Sequence, residues 1–557
     1  MNSLKLINYS FYHALVILLP MIFGAALAIR QNEKNTLVIL AAAATCGGLF
    51  SYGIFWLFLW SPNVGISASY FGYILMLLLC VTWLRKFLIT PEISVFIKPV
   101  FVWICYSVFI LAISFAPSDL SDPLNFAALR FSHPLPVDNQ LPLMFAEQIL
   151  NGKVLIPMIG DWLSSDRPPL QTAYLLVSGI NEFANRAWHY QVLATLLQCI
   201  WVVPMWLILD KLNIKKTPFA LALLVPMYSG VAFVHSVFTW PKLFPVYYVL
   251  IIYGILFEVN SEAQRRFSSG ALIGSLAAFA MLCHGGSIFI IIGLGLTLLL
   301  THKMPSKLFI IASVFFGVLI LATWSYYQAV LDPPGNRLIK WHLAGSIPID
   351  SKSFTESLRY SYSGLDVIDF LKLKISNLNV VFNTPIESIQ KLVNIFFKKP
   401  SQLEVFQLRE NQFYAVWSGL SVFALASFLL FGCVFFAKSI EKQTGLNMIK
   451  VAAITIFVWI VMLYGPATTV IHQGSLAVMI FLFTGLVLYI YVINKYLLYL
   501  FCGVHFYIVY VIYLSSNIFD YSKNINMTFT AVIFILLSLL PFFLNSEKNR
   551  LTKLIGI

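Results

Sequence analysis

The chain has 557 residues, of which 59% are hydrophobic, 16% aromatic and 11% charged, and it carries a formal net charge of +13. Soluble globular chains carry about 25% charged residues, so the composition excludes a soluble enzyme on a membrane anchor. It also excludes a disordered chain, a disulfide scaffold, a coiled coil and a β-barrel porin. The positive balance does not point to nucleic acid, because the positions of the cations explain it.

Apolar runs of about 20 residues with almost no charges recur from end to end, and each reads as a transmembrane helix. In chain order they fall near 8–29, 37–60, 67–84, 99–116, 190–209, 218–236, 243–258, 269–283, 285–301, 308–327, 412–437, 451–468, 475–493, 496–515 and 527–544. The expectation is an all-α polytopic membrane protein with about fifteen crossings. The run at 8–29 reads as the first crossing and not as a removed signal. Five parts follow: a four-helix membrane segment (1–116), an extracytoplasmic loop (117–189), central membrane helices (190–327), a second extracytoplasmic loop (328–411) and C-terminal membrane helices (412–557). The seven cysteines all sit in or beside apolar runs with no CxxC pair or metal spacing, and read as small core residues.

Charge sets the orientation. One set of short connections carries Arg30 and Lys34; Arg85, Lys86 and Lys98; Lys211, Lys215 and Lys216; Arg265 and Arg266; Lys303 and Lys307; Lys438, Lys442 and Lys450; Lys495; and Lys548, Arg550 and Lys553. The opposite connections carry only Lys242 and Lys523, with Lys5 at the N-terminus. By the positive-inside rule the first set is cytoplasmic, and both long loops then face outward. Loops without cysteine, and no targeting segment, fit a bacterial inner membrane with the loops in the periplasm.

Within the first loop, Asp138-Asn139 precede a Pro-started segment, Leu141 to Leu150, a helix-start pattern. Leu143, Met144, Ile149 and Leu150 can form one apolar face opposite Glu147 and Gln148, which predicts a short interfacial helix. Gly152, Pro157 and Gly160 turn the chain. Asp166-Arg167-Pro168-Pro169-Leu170 then sets an acid and a guanidinium before a rigid double proline, and arginine is suited to holding phosphate with two hydrogen bonds.

An acidic residue opening the first large outer loop, the FAEQIL-NGK helix and DRPPLQTAYLL about thirty residues later resemble the lipid-linked-sugar glycosyltransferases of the GT-C superfamily. The pattern is nearest that of the aminoarabinose transferases and protein mannosyltransferases. Asp138 matches the family's first acid, where two adjacent acids are common, and Asp166 and Arg167 match an acid–lysine pair. Pro168, Pro169 and Leu170 match the rest. The resemblance implies transfer of a sugar from a polyprenyl-phosphate donor to a glycan, lipid or protein acceptor. Asp138 and Asp166 would be catalytic, Asp138 taking the acceptor proton, and Arg167 would stabilise the departing phosphate.

Other positions on the outer face could join that site. Cys283-His284-Gly285-Gly286-Ser287 breaks an apolar stretch and offers a His where an anion could sit, the other reading being a plain hairpin turn. His472, in Ile471 to Ser475, lies in a similar turn. Trp240-Pro241-Lys242 reads as an interfacial anchor, from which Lys242 could also hold phosphate. The second loop opens Asp332-Pro333-Pro334-Gly335-Asn336 and then brings Arg337, Lys340 and His342 within six positions, a cationic cluster for a donor phosphate or for anionic lipid headgroups. Farther on, Leu365, Ile368, Leu371, Ile375 and Leu378 recur at helical spacing opposite Asp369, Lys372 and Ser376, an amphipathic helix that is packed or interfacial, so both outer loops are expected to carry interfacial helices as in the GT-C proteins that the chain resembles. A divalent metal ion at Asp138 or Asp166 is compatible with carboxylate chemistry, but the sequence names no ligand set and no other cofactor. Two other readings are a polysaccharide polymerase or O-antigen ligase, which uses arginines on lipid pyrophosphate, and a lipid-linked-sugar flippase or transporter, which usually carries ionisable groups in mid-membrane.

Overall fold

A computed structural model describes residues 2–87, 90–117, 122–152, 157–259, 262–382, 386–425, 440–470, 476–515 and 520–543. His472 and the second half of the expected crossing near 412–437 lie outside them. The described chain is helical throughout, and its one β-bridge joins Ile159 to Trp162.

Among the described residues nine helices are long and apolar enough to cross a membrane. They are Ser3–Arg30, Thr36–Trp60, Pro62–Thr82, Glu92–Phe115, Arg186–Lys211, Lys307–Leu331, Glu441–Met462, Lys495–Leu514 and Tyr521–Phe543. Lys216–Met227 and Gly230–Val237 make a further, broken element bent by 51°. The break follows from Pro226, which removes a helical hydrogen bond, and from Ser229, whose hydroxyl accepts from Ala232 N and starts a new helix. Four more apolar helices, Phe244–Glu258, Phe267–Cys283, Ser287–Leu300 and Ala477–Ile493, are shorter. The apolar runs are therefore helices where the sequence places them, but several fall short of the length that marks a crossing. Near 412–437 the described chain holds Gln402–Tyr414, Val416–Leu420 and helical residues 423–425.

A helix that is apolar all round belongs in a core or in lipid, and burial separates the two cases. The most apolar stretch of Arg186–Lys211 is 100% buried inside the protein, whereas those of Pro62–Thr82 and Lys307–Leu331 are each 22% buried. The first is a central helix, beside the equally enclosed Phe244–Glu258, and the other two form the lipid-facing rim. Small residues let helices approach closely, as in membrane interiors generally. A Cβ added to Gly445 would lie 2.8 Å from Gly485 O, and one added to Gly485 would lie 2.9 Å from Gly445 O.

The basic connections gather at one end. Glu33, Lys34, Asp210, Lys211, Glu262 and Arg266 line a single charged cleft, with Arg266 bonded to Glu33 at 3.1 Å and to Glu262 at 2.5 Å. Helix Phe244–Glu258 starts just after Lys242 and ends at that cleft, where Val259 is one of the lining residues. The first long loop is only partly a surface feature, because Leu170–Val177, directly after Pro168-Pro169, is a wholly buried helix packed beside Thr36–Trp60. At eight residues it is too short to register as a crossing.

Candidate functional site

A chain of buried amides builds one wall of the site. Gln198 Oε1 accepts from Leu243 N at 2.8 Å and Phe244 N at 2.9 Å, and its Nε2 donates to Gln171 Oε1 at 3.0 Å. Gln171 Nε2 donates to Thr239 O at 2.8 Å and to the Tyr190 hydroxyl at 2.9 Å, and that hydroxyl donates to Asn139 O at 2.7 Å. Asn139 Nδ2 donates to Leu124 O at 2.8 Å. The relay thus fixes the Thr239–Phe244 turn and the Asp138-Asn139 pair against each other. Thr239 has φ +55°, a backbone conformation that a β-branched residue adopts only under strain of about 1–3 kcal/mol and that concentrates at functional sites.

Around this wall the cations converge on Trp240. Arg167 Nη2 donates to Asp138 Oδ1 at 2.9 Å, joining residues 29 positions apart. The Arg167 guanidinium lies 5.4 Å from the Trp240 ring centre, Lys242 Nζ lies 4.6 Å from it, and the His284 ring is 6.1 Å away, within reach of cation–π and ring contacts. Lys242 is 1% exposed, and among the described residues neither its Nζ nor Arg167 Nε has a hydrogen-bond partner. Burial, reinforced by Arg167 and opposed by Asp138, holds the Lys242 amine well below the ordinary lysine value. Burial also pulls Arg167 down, against Asp138 and Asp166 and with Arg337. His284 Nδ1 accepts from Gly286 N at 3.0 Å, so any proton of the neutral ring is on Nε2. Burial, and then Lys242, His342, Arg167 and His235, hold His284 well below the usual histidine range.

A second aromatic, Trp162, carries the other half. Arg167 and Arg337 lie 4.6 and 4.0 Å from its ring centre. Arg337 forks onto Asp161 at 3.1 and 3.0 Å, donates to Ile347 O at 3.0 Å, and has Nη1 3.9 Å from Asp166 Oδ2. Asp166 is buried and accepts from Leu163 N at 3.0 Å. Burial raises its carboxyl; the Leu163 N–H, Arg337 and Arg167 oppose the shift, and Asp332 adds to it. The second loop is clamped to the first by Asp332, whose Oδ2 accepts from Ser164 Oγ at 2.5 Å and Ser165 N at 2.9 Å, and by Gln328 Nε2, which donates to Ser165 O at 2.9 Å.

The structure therefore brings together Asp138, Asp166, Arg167, Lys242, His284 and Arg337, drawn from four separate stretches of chain. His342 is near enough to act on His284, and its Nδ1 donates to Leu338 O at 2.7 Å. Lys340 is turned elsewhere: it is fully buried, with Nζ 2.5 Å from Asp350 Oδ1 and 3.1 Å from Lys352 O, where it ties down the following turn. A helix face of Arg337, Lys340 and His342 read as one cationic cluster thus splits, because neighbours three residues apart meet different partners. Helix Leu141–Leu150 forms as the sequence predicts, and Glu147 lies 3.7 Å from Arg186.

Sequence reasoning missed Asp161, Trp162, the Gln171–Gln198 relay and the Asp332 clamp. Only Asp332 carried a local signal, standing at the head of a Pro-Pro turn. Among the described residues no group of three or more His, Cys, Asp or Glu converges to hold a metal ion, and the acids present are already bonded to arginines or backbone N–H groups. A site so rich in cations fits an anion better than a divalent cation. Comparison with protein-family models, curated proteins and solved structures finds no match to this chain.

Proposed function

We propose that this protein is an integral membrane glycosyltransferase that moves a sugar from a polyprenyl-phosphate donor to an acceptor hydroxyl, at the end of the bundle opposite the basic connections. By the positive-inside asymmetry this is the periplasmic face of a bacterial inner membrane. The observation that carries the reading is Lys242: a buried amine with no hydrogen-bond partner among the described residues, between an Asp–Arg pair and a histidine. An unpaired buried cation is costly, and a bound phosphate would supply its counter-charge. In the reaction, the acceptor oxygen bonds to the anomeric carbon as the carbon–phosphate-oxygen bond breaks. The acceptor proton passes to Asp138, and the leaving phosphate keeps the electron pair, held by Arg167 and Lys242.

The ligase alternative asks for arginines open to a pyrophosphate. The two most enclosed arginines, Arg130 and Arg409, instead donate to the helix-end carbonyls of Ser114 and Ile512, at 2.8 and 3.0 Å. The decisive experiment is transfer in nanodiscs from polyprenyl phosphates bearing different sugars, read by mass spectrometry of the acceptor. Asp138→Asn is expected to fold, to retain donor binding and to abolish transfer. Full activity in that variant removes Asp138 from the chemistry, and failure of every polyprenyl phosphate to bind the native protein removes the donor class.

A further inference from the structure

Helix Val367–Phe382 is built in the reverse sense to a helix that faces water. Its large aliphatics point outward: Val367 is 75% exposed, Ile368 62%, Leu371 53%, Ile375 55% and Leu378 42%, at spacings that make one stripe. Its buried residues are Lys374, Asn377 and, near its end, Val381. Lys374 Nζ donates to Leu463 O at 2.6 Å, and Asn377 Nδ2 donates to Ile460 O and Leu463 O, both at 3.0 Å, so these two side chains close the carbonyl end of helix Ile440–Met462. The stripe continues past the next helix, Ile386–Asn394, with Val393, Phe396 and Phe397 exposed, the last at 86%. Lys372, Lys398 and Lys399 are exposed along its edges.

We propose that helices Val367–Phe382 and Ile386–Asn394, with the turn at Phe396–Lys399, lie in the boundary between headgroups and acyl chains of the leaflet on the same side as the site, with the aliphatic stripe in the acyl region and the lysines at the phosphates. Three observations select lipid as the occupant. The helix that Lys374 and Asn377 cap is itself a membrane-crossing candidate, so its end marks the edge of the hydrocarbon layer. Phe457 and Val461, on the last turns of that helix, are exposed at 66% and 41%, so the lipid-facing surface runs on towards the stripe. An apolar face edged by lysines matches a helix lying in an anionic interface. The segment also adjoins the site, since Tyr464 N donates to His342 O at 2.9 Å beside the capped carbonyls. The leaflet thereby anchors the loop that supplies Arg337 and Asp332.

The test uses the full-length protein in nanodiscs of phosphatidylethanolamine and phosphatidylglycerol. Single cysteines are introduced by Leu371→Cys, Phe397→Cys and, as a control in the exposed turn upstream, Thr355→Cys. Each is labelled with bimane and measured against the similarly treated parent. Labels at 371 and 397 are expected to lose most of their emission to lipids with a nitroxide at a shallow acyl position and little to aqueous iodide, with the control behaving the opposite way. Strong iodide quenching at 371 and 397 overturns the proposal. So does insensitivity to both quenchers accompanied by self-association in native mass spectrometry, which would assign the stripe to a second copy of the chain.

Discussion

Lys242 and Arg167 look alike in charge but should respond differently to mutation. Among the described residues Lys242 has no hydrogen-bond partner to lose, so Lys242→Met removes a costly buried amine. The thermal midpoint should rise, with a gain of about 1 kcal/mol or more, while affinity for polyprenyl phosphate falls. Arg167 is bonded to Asp138, so Arg167→Ala gives up a charge-assisted contact and should weaken donor binding about 10- to 100-fold, with Arg167→Lys partly retaining it. Equilibrium binding of fluorescent polyprenyl phosphate checks both, and unchanged affinity in all three variants would take these residues out of the site. His284 offers a pH test. Its folded-state value is depressed, so its contribution to stability is present above about pH 6.5 and is lost as pH falls through that range, where the unfolded chain takes the proton first. Thermal midpoints of His284→Gln should therefore decline less than those of the native protein between about pH 7.5 and 5. An anion beside Lys242 and His284 relieves the same depression, so donor binding should take up protons and tighten on acidification, which calorimetry in buffers of different ionisation enthalpy detects.

At the scale of elements, the site depends on two loops staying clasped. Asp332→Ala removes the acceptor for Ser164 Oγ and Ser165 N, which should cost about 2–3 kcal/mol and expose the Asp161–Arg167 turn to protease. Limited proteolysis with and without the substitution reads this, and equal protection would mean that Gln328 and the Arg337–Asp161 pair hold the loops without it. This is also where sequence reading reaches its limit. The Asp-Arg-Pro-Pro turn, the helix after Asp138 and the amphipathic helix after Gly364 were legible from local patterns of proline, capping residues and periodicity. Which face of that last helix points inward was not, because periodicity locates a stripe without saying what lies across from it. The clamp and the amide relay were also hidden: Ser165 and Asp332 are 167 residues apart, and nothing in either neighbourhood names the other. Lys340 shows the converse error, in which charges adjacent in sequence were read as adjacent in purpose.

For the whole molecule, hydropathy located almost every apolar helix, because a chain in lipid must satisfy its backbone within each segment. Among the described residues nine helices, not fifteen, are long and apolar enough to cross, since a run of apolar residues does not report where a helix bends, as at Tyr228-Ser229, or stops early. The short helices have a consequence for depth. Phe244–Glu258, Phe267–Cys283 and Ser287–Leu300 have 15, 17 and 14 residues and all terminate beside the site, at Lys242 and His284. At 1.5 Å per residue they stand about 21–26 Å tall, against a hydrocarbon layer of about 30 Å. If the far ends, beside Arg265, Arg266 and Lys303, sit at the opposite interface as the positive-inside asymmetry expects, the floor of the proposed site lies several ångströms below the headgroup plane on its own side. A lipid-linked donor would then meet these cations below the level of its own headgroup neighbours, with its tail still in oil.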